Sequence, residues 1–417
     1  MVQAKSKSKD IDVDVLIIGG GFVGSCLVAA LDETPLSTCM IDRADPKAAL
    51  DATFDGRAFA ISLSNQKLLA GIGLWPLLEE TSAPILDIRV SDGLSLLFLH
   101  FDHRIVGGDP MGFMIENHHL RHALHKRLAG QPGLANWAPT QLVELERARS
   151  GICGTLSDGR RVKARLVIGA DGRESEIRQS ARIGLTRWSY HQTGIVCTVR
   201  HDRSHEFVAQ ERFLPSGPFA ILPLNGEPVE AANRSSIVWT ERDDLAPPIM
   251  ALDDGFFAKE LGRRFGTFLG SIEVVGPRWS YPLSLQFAKR SIDRRLVLIG
   301  DAAHGMHPIA GQGLNMGLRD VAALAEVLVD AQRLGLDIGD DTVLERYDRW
   351  RRFDNTMMLA ATDALNRLFS NDVASLKFAR DAGLAAVDAI PPLKKLFMRY
   401  AMGVVGDLPK LLRGQPL

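Results

Sequence analysis

Cysteine is scarce: four residues in 417, at Cys26, Cys39, Cys153 and Cys197. No two form a CxxC pair and they lie far apart, so neither a disulfide framework nor a thiolate zinc site is indicated. A reducing cytoplasm is the plain reading. Net charge is nearly absent as well, with 49 Lys and Arg against 50 Asp and Glu. A nucleic-acid binder would carry a basic field, which argues against that class. No uninterrupted apolar run reaches the roughly 18 residues of a membrane span. Any contact with a bilayer, such as the inner membrane, is therefore expected from the side. The opening MVQAKSKSKD has no apolar stretch behind it and reads as a disordered tail, not a signal peptide.

Hydrophobic residues make up 46% of the chain, ample for two or three domains with large cores. Val13 to Gly19 is a near-continuous apolar run, as in a parallel strand buried on both faces. A glycine-rich turn, a helix to about Leu31 and a strand from Thr38 to Asp42 complete a β-α-β unit. Ile85 to Phe101 alternates around Asp92-Gly93, a hairpin signal. Asn117 to Leu128 reads as a helix, followed by short strands near 140–146, 152–157 and 161–168. From 185 to 283 the strand-like runs GIVCTVR, HEFVAQERFL, FAILPL and SIVWTE, with one helix from Asp253 to Phe265, suggest an inserted sheet with a helix on it. Leu296 to Ile299 returns to the buried-strand pattern, and the remainder is helical. The expected fold is α/β. It has a tail (1–10), a discontinuous nucleotide-binding domain (11–184 and 284–370), a β-sheet insertion (185–283) and a C-terminal helical region (371–417).

Three segments carry chemistry. Gly19-Gly20-Gly21-Phe22-Val23-Gly24 is a GxGxxG between strand and helix. Gly19 permits the tight turn, Gly21 lets the backbone approach a diphosphate, and Gly24 lets helix and strand close up. Asp42, ending the second strand, stands where an acid binds the adenosine ribose. Gly169-Ala170-Asp171-Gly172-Arg173 follows another apolar strand and alone would pass for a turn. Gly300-Asp301-Ala302-Ala303-His304 leads to Pro308-Ile309-Ala310-Gly311-Gln312-Gly313-Leu314-Asn315, where a long helix opens. Its amide dipoles would stabilise a reduced, anionic isoalloxazine by about 0.3–2 kcal/mol. His304 and His307 lack Cys, Asp or Glu partners at ligand spacing, so no metal is expected.

In this order and spacing, GGGFVG, GADGRES and GDAAHGMHPIAGQGLNMGLRD resemble the three fingerprints of class A, single-component FAD-dependent aromatic hydroxylases. The likeness is nearest to those of ubiquinone biosynthesis. DGRAFAISLSNQKLLAGIGLW, FLPSGPFAILPL with SIVW, and LPKLLRGQPL extend it over most of the chain. The signatures of flavin halogenases (WxWxIP) and Baeyer–Villiger enzymes (FxGxxxHxxxW) are absent.

The resemblance implies a Rossmann-like FAD-binding domain of the aromatic-hydroxylase type, with 185–283 as substrate domain. It implies that Gly19, Gly21, Gly24 and Asp42 hold the ADP half of FAD, and that Arg57 contacts the flavin or admits the reductant. Asn117 and Arg121 then lie near the diphosphate or ribityl chain, and Asp171 and Gly172 near the pyrophosphate and the nicotinamide donor. Asp301 binds ribityl or pyrophosphate, and Pro308, Gly311, Gln312, Gly313, Leu314 and Asn315 line the ring. Without the family, the plainer reading of Arg57 is a pair with Asp55, worth at most about 1 kcal/mol.

Phe219, Leu222, Pro223, Trp239 and Tyr281 are candidates for an apolar wall that keeps water from the oxygenated flavin. Aromatic residues in strands are, however, more often ordinary core. No catalytic base is nominated. A single β-α-β unit leaves two electron donors open, NAD(P)H visiting the flavin or a protein. Three functions remain in view: hydroxylation of a polyprenyl phenol in ubiquinone biosynthesis, hydroxylation of a small soluble phenol, or a non-catalytic flavin subunit of a biosynthetic complex. The segment 390–417 interleaves Lys394, Lys395, Arg399, Lys410 and Arg413 with apolar residues. That suits a membrane surface or partner as well as a helix packed on the core.

Overall fold

The computed structural model describes residues 10–51, 54–93, 98–226, 231–306, 311–369, 380, 383 and 386–417. The expected tail, except Asp10, lies outside them, as do Pro308 and His307. Strand β1 (Ile11–Ile18) has an unbroken apolar run because both of its faces are covered. Val15 and Ile17 enter one core, Leu16 and Ile18 another. On one side β1 pairs in parallel with β2 (Thr38–Ile41), which pairs with β8 (Leu134–Trp137). On the other side it pairs with β11 (Arg161–Gly169), and then comes β18 (Leu296–Leu298), also parallel. β17 (Ile292–Asp293) and the hairpin of β9 (Leu142–Arg147) and β10 (Ile152–Leu156) complete eight strands. The chain order reverses at β1. Its carboxyl end is therefore the switch point at which such sheets bind ligands.

Helices α1 (Phe22–Ala30), α2 (Leu63–Gly71), α3 (Asn117–Ala129) and α6 (Gln312–Arg333) cover the first core. Leu411 and Leu412 of the C-terminal segment return to it. A small sheet of β3 (Ala58–Ser62), β7 (Gly112–Glu116) and β4 (Ala83–Ile85) lies next in order.

The second large sheet runs β19 (His304–Gly305), β16 (Ile272–Ala288), β12 (Leu185–His201), β15 (Arg234–Arg242), β14 (Gly217–Leu224), β13 (Val208–Leu214), β5 (Asp87–Asp92), β6 (Phe98–Asp102). The alternating segment 85–101 is a hairpin as expected, but β5 pairs with β13, so residues well before 185 belong to this sheet. Alternation marks a strand without naming its partner.

Helix α5 (Asp254–Phe265) is capped by the Asp253 carboxylate and buries Phe257, Leu261 and Phe265 on one face of the sheet. The opposite face turns toward the small sheet: Thr198 donates to Gly56 O, and Arg234 pairs with Glu116 at the end of β7. Helix α7 (Asp341–Phe369) and, farther on, α8 (Pro391–Ala401) close that side. No helix among the described residues is long and apolar enough to cross a membrane.

Candidate active site

The three glycine-bearing segments meet at the start of α1, the third against Val23 and the second, through Ala170, against Gly19 and Gly24. A Cβ on Gly300 would lie 3.2 Å from Val23, and one on Gly317 of α6 would lie 2.6 Å from it. Phe22 packs edge-on against Phe59 of β3 at 5.1 Å, and a Cβ on Gly311 would come within 2.9 Å of Ala60. The amino ends of α1 and α6, the Gly300–Ala302 turn and β3 thus frame one cleft at the switch point of the first sheet.

The glycines fall into two kinds. Gly19 has φ +111°, and a Cβ there would sit 2.3 Å from Ala170 O; at Gly24 it would sit 2.0 Å from Gly19 O. These two are required by the fold. At Gly21, Gly172 and Gly313 a Cβ would meet no atom of the described residues within 4 Å. Open space beside helix amino ends is what a bound diphosphate and an anionic ring need. Asp42 accepts from the amides of Gly20 and Ala44, which ties the end of β2 to the turn.

Asp301 is exposed, and no described residue donates a hydrogen bond to its carboxylate. Crowding by protein atoms nevertheless pushes its carboxyl above the ordinary value, against the pull of Arg173 and His304. A carboxylate both crowded and open to water lies in a cleft, where hydroxyl groups of a ligand can reach it. Its turn is held from below by Asp320, fully buried, which accepts from Gly300 N at 2.9 Å, His304 Nε2 at 2.6 Å and Arg351 Nε at 2.7 Å. Burial acts to raise the Asp320 carboxyl, but His304 and Arg351 hold it well below its usual range. His304 is held in this network through its Nε2. Gln286 of β16 donates to Asp301 O and Arg173 O, linking the turn to the second sheet.

Arg57, Asn117 and Arg121 converge on a residue the sequence reading treated only as a surface partner. Asp55 accepts from Arg57 at 2.8 Å, Arg121 at 2.6 Å and the Asn117 amide. Burial would raise its carboxyl, yet the Arg57 and Asn117 hydrogen bonds keep it below the ordinary value. The Trp279 indole donates to Asp55 O and lies 5.1 Å beneath the Arg57 guanidinium. The pair predicted for Arg57 is therefore one arm of a node joining β3, α3 and β16.

A profile of the FAD binding domain matches residues 12–360. The chain is 55% identical to the ubiquinone hydroxylase UbiL of Rhodospirillum rubrum, over 98% of this chain and 95% of the relative. It is 32% identical to the 3-demethoxyubiquinol 3-hydroxylase of Escherichia coli, over 94% of this chain and 98% of the relative. In fold it matches p-nitrophenol 4-monooxygenase of Pseudomonas putida with a TM-score of 0.78 at 17% identity, covering 95% of this chain and all of that one. The chain belongs to the FAD-dependent aromatic hydroxylases. It is an FAD-dependent monooxygenase of that class.

FAD, when bound, supplies the redox and oxygen-transfer chemistry. The hydroxylase's own residues bind it and shield it. Several expected ligand groups act through the backbone frame. The Asn315 carboxamide is wholly engaged, bonding Ala60 O, Gly311 O, Ser62 N and Asn65, and so clamps β3 to α6. Asp171 turns its carboxylate to the Ser175 hydroxyl and the Ile177 amide, shaping the loop after β11. Gln312, Gly313 and Leu314 are partly exposed on the first turn of α6.

The wall candidates divide by face. Phe219 and Trp239 are fully buried and pack on Phe257 of α5, away from the cleft. Pro223 lies in the same phase of β14 as Phe219. These three are corrected to the outer side of the sheet. Leu222, in the other phase, joins the inner apolar cluster. Tyr281 also faces inward, opposite Gly194, where a Cβ would come within 3.1 Å of its ring; burial pushes its hydroxyl up to about 12, against the pull of Arg57.

Proposed function

We propose that this protein hydroxylates the aromatic ring of a polyprenylated phenol in ubiquinone biosynthesis. The observation that carries this reading is the apolar cluster on the inner face of the second sheet. It begins at Ala58 and Ala60, beside Gly311 at the opening of α6, and continues through Met114 and Leu222 to Met398 of α8 and Met402 just after it. A prenyl chain whose ring lay at α6 would meet apolar side chains along this cluster. The near-full-length similarity to ubiquinone hydroxylases supports the same substrate class. Deleting the gene in its host tests the reading: a polyprenyl phenol lacking one hydroxyl should accumulate. Unchanged quinone with no accumulating precursor would count against it.

NAD(P)H is the reductant we favour, visiting near Arg57, which is half exposed at the cleft. Anaerobic mixing with NADH or NADPH should bleach the flavin band, and a band left unchanged by both points to a protein donor. The division into an FAD-binding unit and a substrate unit is proposed at 184/185 and 283/284, with strands β5 and β6 serving the substrate unit. For α8, the outer face exposes Leu396, Phe397 and Tyr400 beside Lys395 and Arg399. This composition fits side-on contact with an anionic membrane, where a lipophilic substrate resides.

A further inference from the structure

Strand β13 sets one acidic side chain into the inner apolar face of the second sheet. Glu211 lies opposite Ala220 of β14 and Val90 of β5, and Ala220 in turn lies opposite Val238 of β15. Its same-face neighbours along β13 are Ala209 and Phe213, buried members of the cluster that reaches Ala60 at the mouth of α6. No described residue gives the Glu211 carboxylate a hydrogen bond or an ion pair. Two other charges on that face are matched: Asp92, opposite Phe213, with Arg380 at 2.8 Å, and Arg234 with Glu116 at 3.0 Å. Glu211 keeps partial exposure on that face. Burial alone pushes its carboxyl up to about 7. An unpaired carboxylate in an apolar wall weakens the fold, and such groups concentrate where chemistry needs them.

We propose that Glu211 accepts the proton of the substrate's phenolic hydroxyl, which rests on the reading of the substrate as a phenol. The phenol O–H bond breaks and its proton forms an O–H bond on the carboxylate. The electron pair left on the phenolic oxygen spreads into the ring and enriches its ortho and para carbons, one of which receives the oxygen atom. The carboxyl proton is released after transfer, which restores the carboxylate. A group with its midpoint near neutrality is suited to this task at physiological pH.

Single turnovers of the holoenzyme test this without reference to the natural electron donor. FAD is reduced with dithionite, then mixed with oxygenated buffer and a farnesylated phenol, and hydroxylated product is followed against pH. The wild-type rate should rise with pH through a midpoint near 7. Glu211→Gln should retain FAD and bind the phenol, yet form product on the order of 100-fold more slowly, with that pH limb gone. A polyfluorinated analogue that keeps one ring C–H, and whose hydroxyl has already lost its proton to water near neutrality, should recover about tenfold of the loss in the variant. Wild-type rates and an unchanged pH limb in Glu211→Gln would overturn the proposal. Equal losses on both phenols would overturn it too, since they mark a packing defect. If the wild type hydroxylates no phenol at all, the functional reading itself falls and the proposal with it.

Discussion

Asp320→Asn removes a charge at the base of the cleft while keeping the side chain's shape. Asp320 serves three donors at once: His304, the Gly300 amide and Arg351. In the variant, Arg351 keeps Asp354 and Asn355 as partners, and the new amide oxygen can still accept one hydrogen bond. What disappears is the negative charge opposite a buried guanidinium. Removing one partner of a buried pair costs about 3–5 kcal/mol, and the surviving contacts place this variant near the low end, about 3 kcal/mol. The Gly300 amide loses its charged acceptor, so the turn that presents Asp301 should loosen. A loss of about 1.4 kcal/mol there weakens FAD binding about tenfold.

Urea unfolding of the FAD-free protein and titration of flavin fluorescence measure the two effects separately. The sign of the pH dependence follows from the depressed Asp320 carboxyl. Its contribution is complete above the unfolded value near 3.8 and is lost as pH falls toward the lower folded value. The gap between wild type and variant should therefore be widest near neutrality and narrow only below about pH 4. A deficit under about 1 kcal/mol at neutral pH, or an unchanged FAD affinity, would refute the reasoning.

The other predictions concern separate sites. Gly21→Ala should leave the stability of the FAD-free protein within about 0.5 kcal/mol, because the new methyl meets no atom of the described residues, yet lower FAD affinity about tenfold. Asp301→Ala should lose FAD on gel filtration while the FAD-free form unfolds at the same or higher urea, since a crowded, unpartnered carboxylate has gone. Phe219→Ala should destabilise by about 3–5 kcal/mol and leave the position of ring hydroxylation unchanged, as expected for a core residue on the outer face. Leu396→Ser with Phe397→Ser should abolish co-sedimentation with anionic vesicles while turnover of a water-soluble phenol persists; retained co-sedimentation would remove α8 as the contact.

What could be read in the chain and what could not divides along physical lines. The Gly19–Gly24 turn was legible because each glycine answers a local constraint: a left-handed φ, a backbone contact, or space for a ligand. The unbroken apolar run of β1 was legible because both faces of that strand are covered. The wall residues were not separable in FAILPL for the same reason. Both faces of β14 are buried, so Phe219 and Leu222 look alike in sequence and point to opposite sides. The Asp55 node and the Asp320–Arg351 pair join segments far apart in the chain, and no spacing rule predicts such pairs. Asp320 lies inside the third fingerprint, yet its burial beneath Gly300 shows only in three dimensions.

Glu211 marks the boundary between the two cases. In HEFVAQERFL the phase Ala209, Glu211, Phe213 is apolar except for the acid, whereas Gln210 and Arg212 occupy the other phase. Arg212 there donates to the carbonyl groups that end α5. The acid interrupts that apolar phase, yet it does not stand out in sequence because Gln210, Glu211 and Arg212 form one polar run. What turned that irregularity into a chemical group was the pairing of β13 with β14 and β5, which put the apolar phase on the side of the cleft.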